Sequence, residues 1–134
     1  MQGQTDTGPI RLLHNGGNMR KLIMLVAAML LAATTAFADP AGEYRVEGTN
    51  PGGGGAYRGT VSITKTGETY RVVWDIQGQR YIGTGIGNKD FLAVSYRSGN
   101  ETGLALYGEE SGGWVGIWAY QGGRNVGAER WRRQ

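Results

Sequence analysis

Eight short segments of alternating polar and apolar residues, separated by glycine-containing turns, constrain this fold more than any other feature. The segments are rich in Val, Ile, Thr, Tyr and Trp, and from residue 39 they recur about every 12 residues, a pattern typical of β-strands joined by hairpins. The predicted strands are residues 42–48, 56–65, 69–76, 79–87, 90–97, 102–109, 113–120 and 123–131.

Most connections between these segments are short and carry turn-forming residues, such as Thr66-Gly67, Gln77-Gly78 and Gln121-Gly122. Short hairpins make consecutive strands antiparallel neighbours, and closing the sheet removes its two exposed edges. The sequence therefore predicts an all-β fold, an eight-stranded antiparallel up-and-down barrel that forms a single domain over residues 39–134. The glycine-rich loop from Asn50 to Gly55 is either a tolerated hairpin connection or a mobile lid.

The first 38 residues are predicted to lie outside the barrel. Residues 19–38 resemble a signal peptide, with a basic start, the apolar run from Leu22 to Leu31 and a small-residue cleavage site that ends at Ala38. Residues 1–18 are interpreted as an over-extended translation start without structure. We therefore expect a periplasmic or secreted product of 96 residues that begins near Asp39 and retains no membrane span, which intact-mass measurement of the exported protein would test.

Composition excludes several classes of function. The residues after position 38 include 11 basic and 10 acidic side chains, a balance that argues against nucleic-acid binding. The chain has no cysteine, and its only histidine, His14, precedes the predicted domain. We therefore predict no disulfide, no thiol nucleophile, no imidazole base, no metal site and no cofactor.

An internal repeat is a further prediction. When Trp74 is aligned with Trp118, Gln77 meets Gln121 and Gly83 meets Gly127, an offset of 44 residues. The third and fourth strands would then be a duplicate of the seventh and eighth, a hypothesis that requires the two hairpins to share turn length and register.

A two-residue turn at Gln77-Gly78 separates two faces of the third hairpin. One face carries Tyr70, Val72, Trp74, Tyr81, Gly83 and Gly85, and the other carries Arg71, Thr84, Asp75 and Arg80. Because a cross-strand charged pair belongs in water, the aromatic face is predicted to be the lumen. The glycines allow rings to lie over the backbone.

The same register places Trp114, Trp118, Asn125 and Glu129 on the inner face of the last hairpin. Asn125 and Glu129 belong either to a satisfied internal hydrogen-bond network or to a ligand site. The outer face is also apolar, which predicts an exposed patch or a homo-oligomer formed through the seventh and eighth strands. The candidate ligand-binding residues are Tyr70, Trp74, Tyr81, Trp114, Trp118, Asn125 and Glu129.

The run from Trp114 to Tyr120, the Gly122-Gly123 turn and Trp131 resemble the last two strands of the avidin family. The eight hairpin-linked segments together resemble the avidin and lipocalin class of small barrels, which implies the fold. The polar loop residues with which avidins hold biotin have no counterpart, so biotin binding is not implied. Residues 39–134 also resemble small exported β-proteins of alphaproteobacteria, which implies location and fold but no activity.

Two functions are compatible with these residues, and a third, catalysis, fits them poorly. The first is a non-catalytic barrel that recognises a small ligand or a partner protein, because inward Trp and Tyr side chains are able to line a cup. The second is an inhibitor or adhesin that contacts an envelope or host protein through its loops. Catalysis is disfavoured, because Glu109 and Glu110 point to opposite faces and Asp75 is predicted to face away from Glu129. We expect a filled lumen with any pocket at one mouth, near Asn125 and Glu129.

Overall fold

The structure is a computed structural model that describes residues 39–134. The predictions for residues 1–18 and for the signal peptide lie outside the described residues and stay predictions.

The described chain forms a closed barrel of eight antiparallel strands in sequential order, with β1 and β8 paired. The strands are β1 (Gly42–Thr49), β2 (Ala56–Thr66), β3 (Thr69–Ile76), β4 (Gln79–Gly87), β5 (Phe91–Ser98), β6 (Glu101–Glu110), β7 (Gly113–Tyr120) and β8 (Gly127–Arg133). This order confirms the predicted fold class. Within the described residues, no helix is long and apolar enough to cross a membrane.

The β3–β4 hairpin has the register predicted from its turn. Gln77 and Gly78 both adopt positive φ, 52° and 80°, as a two-residue hairpin turn of type I′ requires. Trp74 pairs with Tyr81, and Asp75 pairs with Arg80. The Asp75–Arg80 ion pair is solvent-exposed, with 2.9 Å between Arg80 Nε and Asp75 Oδ1, so the aromatic face is the lumen.

The duplication hypothesis is wrong, because the β7–β8 hairpin differs from β3–β4 in both turn length and register. Trp118 pairs with Gly127, whereas the repeat requires Asn125 at that position. Asn125 precedes β8 and is solvent-exposed in the connecting loop, so its predicted inward position is wrong. The register shift is two residues, which preserves the alternation of faces and leaves Glu129 inside.

The two ends of the barrel are different. At one end, here the closed end, the Tyr44 hydroxyl donates to the Pro40 carbonyl over 2.7 Å and accepts from Trp114 Nε1 over 3.2 Å. The Arg133 guanidinium lies over the Tyr44 ring and donates to the Asp39 carbonyl over 2.8 Å. Residues 39–41 are thereby fixed across this end.

The loops that follow β1, β3, β5 and β7 form the opposite end, here the open end. The β1–β2 loop contains a short 3₁₀ helix, Pro51–Gly53, and is closed by a 2.9 Å hydrogen bond from the Asn50 N–H to the Gly55 carbonyl. The Asn125 side chain lies beside Gly52, so the first and last loops of this end meet.

The outer surface carries an apolar row that includes the patch expected on β7 and β8 and extends from there to β4. Ile86, Leu106 and Ile117 are 60%, 52% and 50% exposed. Ladder pairing joins them through Ala93 and continues the row from Ile117 to Ala128. The exposed patch is confirmed, and a homo-oligomer formed through it stays a prediction.

Candidate functional site

Glu129 is the buried carboxylate of the described barrel, 7% exposed and near the middle of β8. The alternation of the strand sets its direction, because Gly127 and Trp131 are also buried whereas Ala128 and Arg130 are exposed. Its neighbours across the ladder are Gly48 on β1 and Gly116 on β7, so the carboxylate enters the lumen between two residues without side chains.

Four neutral side chains donate hydrogen bonds to this carboxylate. The Tyr57 hydroxyl donates to Oε1 over 2.6 Å. The Tyr107 hydroxyl and Trp131 Nε1 each donate to Oε2 over 2.7 Å, and Trp74 Nε1 donates over 3.3 Å. The donors come from four different strands, so the barrel holds the carboxylate in one position. The satisfied-network interpretation of Glu129 is therefore confirmed, although it does not by itself exclude a ligand.

Tyr57 and Tyr107, the two tyrosines that donate to Glu129, both have raised pKa values. Burial, followed by the negative charge of Glu129 and the hydrogen bond to it, raises the pKa of Tyr57 and of Tyr107 well above the usual value for tyrosine. Both hydroxyls therefore stay protonated and keep donating across the physiological range.

A cavity of about 420 Å³ occupies the open end of the lumen, and Glu129 lies in its lining. Most of its wall is aromatic, formed by Tyr57, Trp74, Tyr81, Tyr96, Tyr107, Trp118 and Tyr120. The polar and aliphatic remainder is Asn50, Ile76, Gln77, Gln79, Ser98 and Glu101. None of the described lining residues is Lys or Arg.

The rings form a continuous cluster of edge-to-face contacts. Tyr96 lies 5.9 Å from Trp74, 6.2 Å from Tyr81 and 6.4 Å from Trp118, measured between ring centroids. Trp118 also contacts Tyr57 at 6.2 Å and Tyr120 at 5.1 Å. Each of these geometries is favourable for aromatic pairs, so the wall is rigid as well as apolar.

Glycines on neighbouring strands make room for four of these rings. Tyr57 is paired with Gly48, Tyr96 with Gly103, Tyr107 with Gly116 and Trp118 with Gly127. A Cβ atom added to any of the four glycines would overlap the ring of its partner. The rings therefore lie down over bare backbone and leave the centre of the open end free.

A second carboxylate, Glu101, lies in the lining at the first residue of β6 and is exposed. Burial is the main cause that raises the pKa of Tyr81, Tyr96 and Tyr120, and the charge of Glu101 adds to the rise in each. Glu129 adds to the rise at Tyr96 as well. Glu101 at the rim and Glu129 on the floor thus both raise the pKa of Tyr96.

Trp118 has an incompletely satisfied polar atom. Its Nε1 is buried and makes no hydrogen bond of ordinary geometry to a described residue. A contact of the indole N–H with the Tyr57 hydroxyl lowers the pKa of Tyr57, against the larger effect of burial. A buried N–H without a full hydrogen bond has an unfavourable free energy.

The structure brings together four of the seven candidate residues: Trp74, Tyr81, Trp118 and Glu129. Tyr70 and Trp114 are buried elsewhere in the lumen and do not line the cavity, and Asn125 is in the exposed β7–β8 loop. Sequence reasoning missed several lining residues, chiefly Tyr57, Tyr96, Tyr107, Tyr120 and Glu101. The inward alternation of β2, β5 and β6 was the available signal for three of these tyrosines.

The carboxylate pair considered for catalysis is not assembled, since Asp75 faces solvent beside Arg80. No group of three His, Cys, Asp or Glu within residues 39–134 is arranged to hold a metal ion. The arrangement is suited to binding: a fixed carboxylate and aromatic walls around one cavity.

Comparison with known proteins adds no assignment. No protein-family model matches the chain, and a search of curated proteins finds no significant match. Its function therefore has to be inferred from the geometry of the open-end cavity.

Proposed function

We propose that this chain is an exported, non-catalytic barrel that binds a small ligand in its open-end cavity, in the periplasm or outside the cell. The observation that carries the proposal is the cavity itself, which has a buried carboxylate on its floor and seven aromatic side chains in its wall.

The size of the cavity supports a small ligand. Pockets for small molecules occupy roughly 300–1,000 Å³, and the volume of about 420 Å³ lies at the lower end of that range. An eight-stranded barrel has room for one such molecule at most. The closed end is filled by Tyr44, Trp114 and residues 39–41, so the ligand enters and leaves through the open end.

The polar groups support specific recognition. Glu129 is fixed by donors from four strands, so little side-chain entropy is lost when a ligand contacts it. A few placed polar groups within an apolar wall are typical of small-molecule sites.

Tryptophan fluorescence provides the test, because two of the four tryptophans, Trp74 and Trp118, line the cavity. Titration with small aromatic, aliphatic and amine compounds should give saturable quenching with at least one class. Trp118→Phe removes the N–H and part of the wall and should weaken that binding several-fold. Trp114→Phe is the matched control, because it removes one indole from the closed end and should leave the affinity unchanged.

Two results would count against ligand binding. Equal losses in Trp118→Phe and Trp114→Phe would place the quenching outside the cavity, and no saturable response to any class would refute the proposal. The loops of the open end, from Asn50 to Gly55 and around Ser98 to Thr102, would then be the surfaces to test by pull-down with envelope or host extracellular proteins.

A further inference from the structure

We propose that the ligand of the open-end cavity is a small organic cation that carries an alkylammonium group. This inference rests on the proposed function and adds the chemical class of the ligand. It follows from two features of the cavity: its uncompensated charge and its aromatic wall.

The charge of the lining has one sign. Glu129 on the floor and Glu101 at the rim are its charged side chains, and no described lining residue is basic. The hydrogen-bond donors around Glu129 are all neutral, so they stabilise the carboxylate without cancelling its charge. A cation entering this space gains electrostatic energy from both ends of the cavity, whereas an anion is repelled.

The floor carboxylate retains hydrogen-bonding capacity. Its Oε2 atom already accepts three hydrogen bonds, but Oε1 accepts one, from Tyr57. Oε1 is therefore the less occupied oxygen, able to receive a further N–H from a protonated amine or to face a quaternary ammonium directly.

The wall suits the same ligand. Cations are attracted to the faces of Trp and Tyr rings, and a site partly shielded from water strengthens the interaction. Trp118 and Tyr96 each contact three other rings of the lining, so a cation in the cavity has several aromatic faces within reach. An alkylammonium combines apolar alkyl groups with a positive charge. The aromatic rings suit its alkyl groups, and the carboxylate suits its charge.

Three compounds with the same branched head test the charge. Choline is the cation, 3,3-dimethylbutan-1-ol is its neutral carbon isostere, and 3,3-dimethylbutanoate is the anion. Binding measured by tryptophan fluorescence and by calorimetry should follow the order cation, neutral, anion, with about tenfold or more between choline and the alcohol. Tetramethylammonium is a second cation and should also bind more tightly than the neutral alcohol.

Two charge-neutralising variants distinguish the effect of a charge in the cavity from the effect of the net charge of the protein. Glu129→Gln keeps the side-chain shape and should reduce the preference for choline over the alcohol by about tenfold. Glu68→Gln, in the exposed β2–β3 turn at the closed end, removes the same charge and should leave the preference intact. Circular dichroism of each variant establishes that it is folded.

The outcomes are distinguishable from those of the proposed function. If the neutral or anionic compound binds as tightly as choline, or if Glu129→Gln keeps the full preference, the cation inference is refuted while ligand binding stands. If none of the four compounds binds but another class quenches saturably, the cation inference fails alone. If nothing binds at all, both proposals fail.

Discussion

Removal of the Tyr107 hydroxyl is the perturbation with the clearest expected magnitude. Tyr107 is buried, and its hydroxyl donates to Glu129 Oε2 over 2.7 Å. Tyr107→Phe deletes this donor and retains the ring that packs 4.1 Å from Trp131, measured between centroids. The change therefore creates no large cavity, and its cost is that of one hydrogen bond to a carboxylate.

Hydrogen bonds to charged groups contribute about 1.5–3 kcal/mol, and those between neutral groups about 0.5–1.5 kcal/mol. We expect Tyr107→Phe to lower the free energy of unfolding by about 1.5–3 kcal/mol in the parent protein. In a Glu129→Gln background the same change should cost only about 0.5–1.5 kcal/mol, because its acceptor is then a neutral amide oxygen.

The Glu129→Gln background is expected to fold because the network tolerates an amide. The amide oxygen of the substituted side chain is able to accept from Tyr107, Trp131 and Trp74, while its NH₂ group donates to the Tyr57 hydroxyl, which reverses one bond. The weaker bonds are offset by the smaller cost of burying a neutral group.

Urea unfolding of the parent, both single variants and the double variant measures the coupling directly. Tyr44→Phe is the control, since Tyr44 bonds to Pro40 and Trp114 at the closed end and its cost should not change with residue 129. Equal costs of Tyr107→Phe in both backgrounds would show that the Glu129 charge does not strengthen the network.

Further predictions concern the core and alkaline pH. Trp74→Ala should cost about 3–5 kcal/mol and Gly83→Val a comparable amount, whereas Arg71→Ala should cost under about 1 kcal/mol; urea midpoints would rank them, and a costly Arg71 would contradict the assigned faces. The native pKa of Tyr57 and of Tyr107 is raised, so the stability that they contribute is present below the unfolded value near pH 10 and is lost as pH rises above it. The free energy of unfolding should fall by about 1.4 kcal/mol per pH unit for each, and Tyr57→Phe should remove its share of that slope, a result that unchanged slopes would contradict.

The β3–β4 hairpin was predictable from sequence because local chemistry determines it. A Gln-Gly pair between two alternating segments fixes a two-residue turn, and the turn fixes every cross-strand pair that follows. The same logic failed at Gln121-Gly122. A turn does form there, with the Gly123 N–H donating to the Tyr120 carbonyl over 2.9 Å, but β8 begins only at Gly127.

Packing explains why pairing resumes at Gly127. The Trp118 ring lies against Gly127, where any side chain would collide with the indole. If β7 and β8 had the register of the β3–β4 hairpin, Trp118 would instead pair with Asn125, whose side chain would occupy the place of the indole. No property of the turn sequence reveals this requirement, because it depends on how the ring lies in the closed barrel.

The position of the cavity also depends on tertiary structure. Alternation along β2, β5 and β6 points Tyr57, Tyr96 and Tyr107 inward, but it does not say which end of the lumen is filled. That is decided by Tyr44 and Arg133, which fix residues 39–41 across the closed end. Trp114 donates a hydrogen bond to Tyr44 at the closed end and therefore does not line the cavity.

At Glu129, the negative charge that the proposed ligand requires has a cost in folding stability. A carboxylate surrounded by neutral donors incurs a desolvation cost that a polar amide of the same shape would reduce, so the fold alone gives no reason for a charge at this position. The barrel nevertheless directs two tyrosines and two tryptophans toward it, which fixes the charge at the floor of a space lined by aromatic rings. Departures from the rule that interiors are apolar are expected where a protein binds something. If the proposed cation binds in the cavity, it supplies the opposite charge that the four neutral donors around Glu129 do not provide.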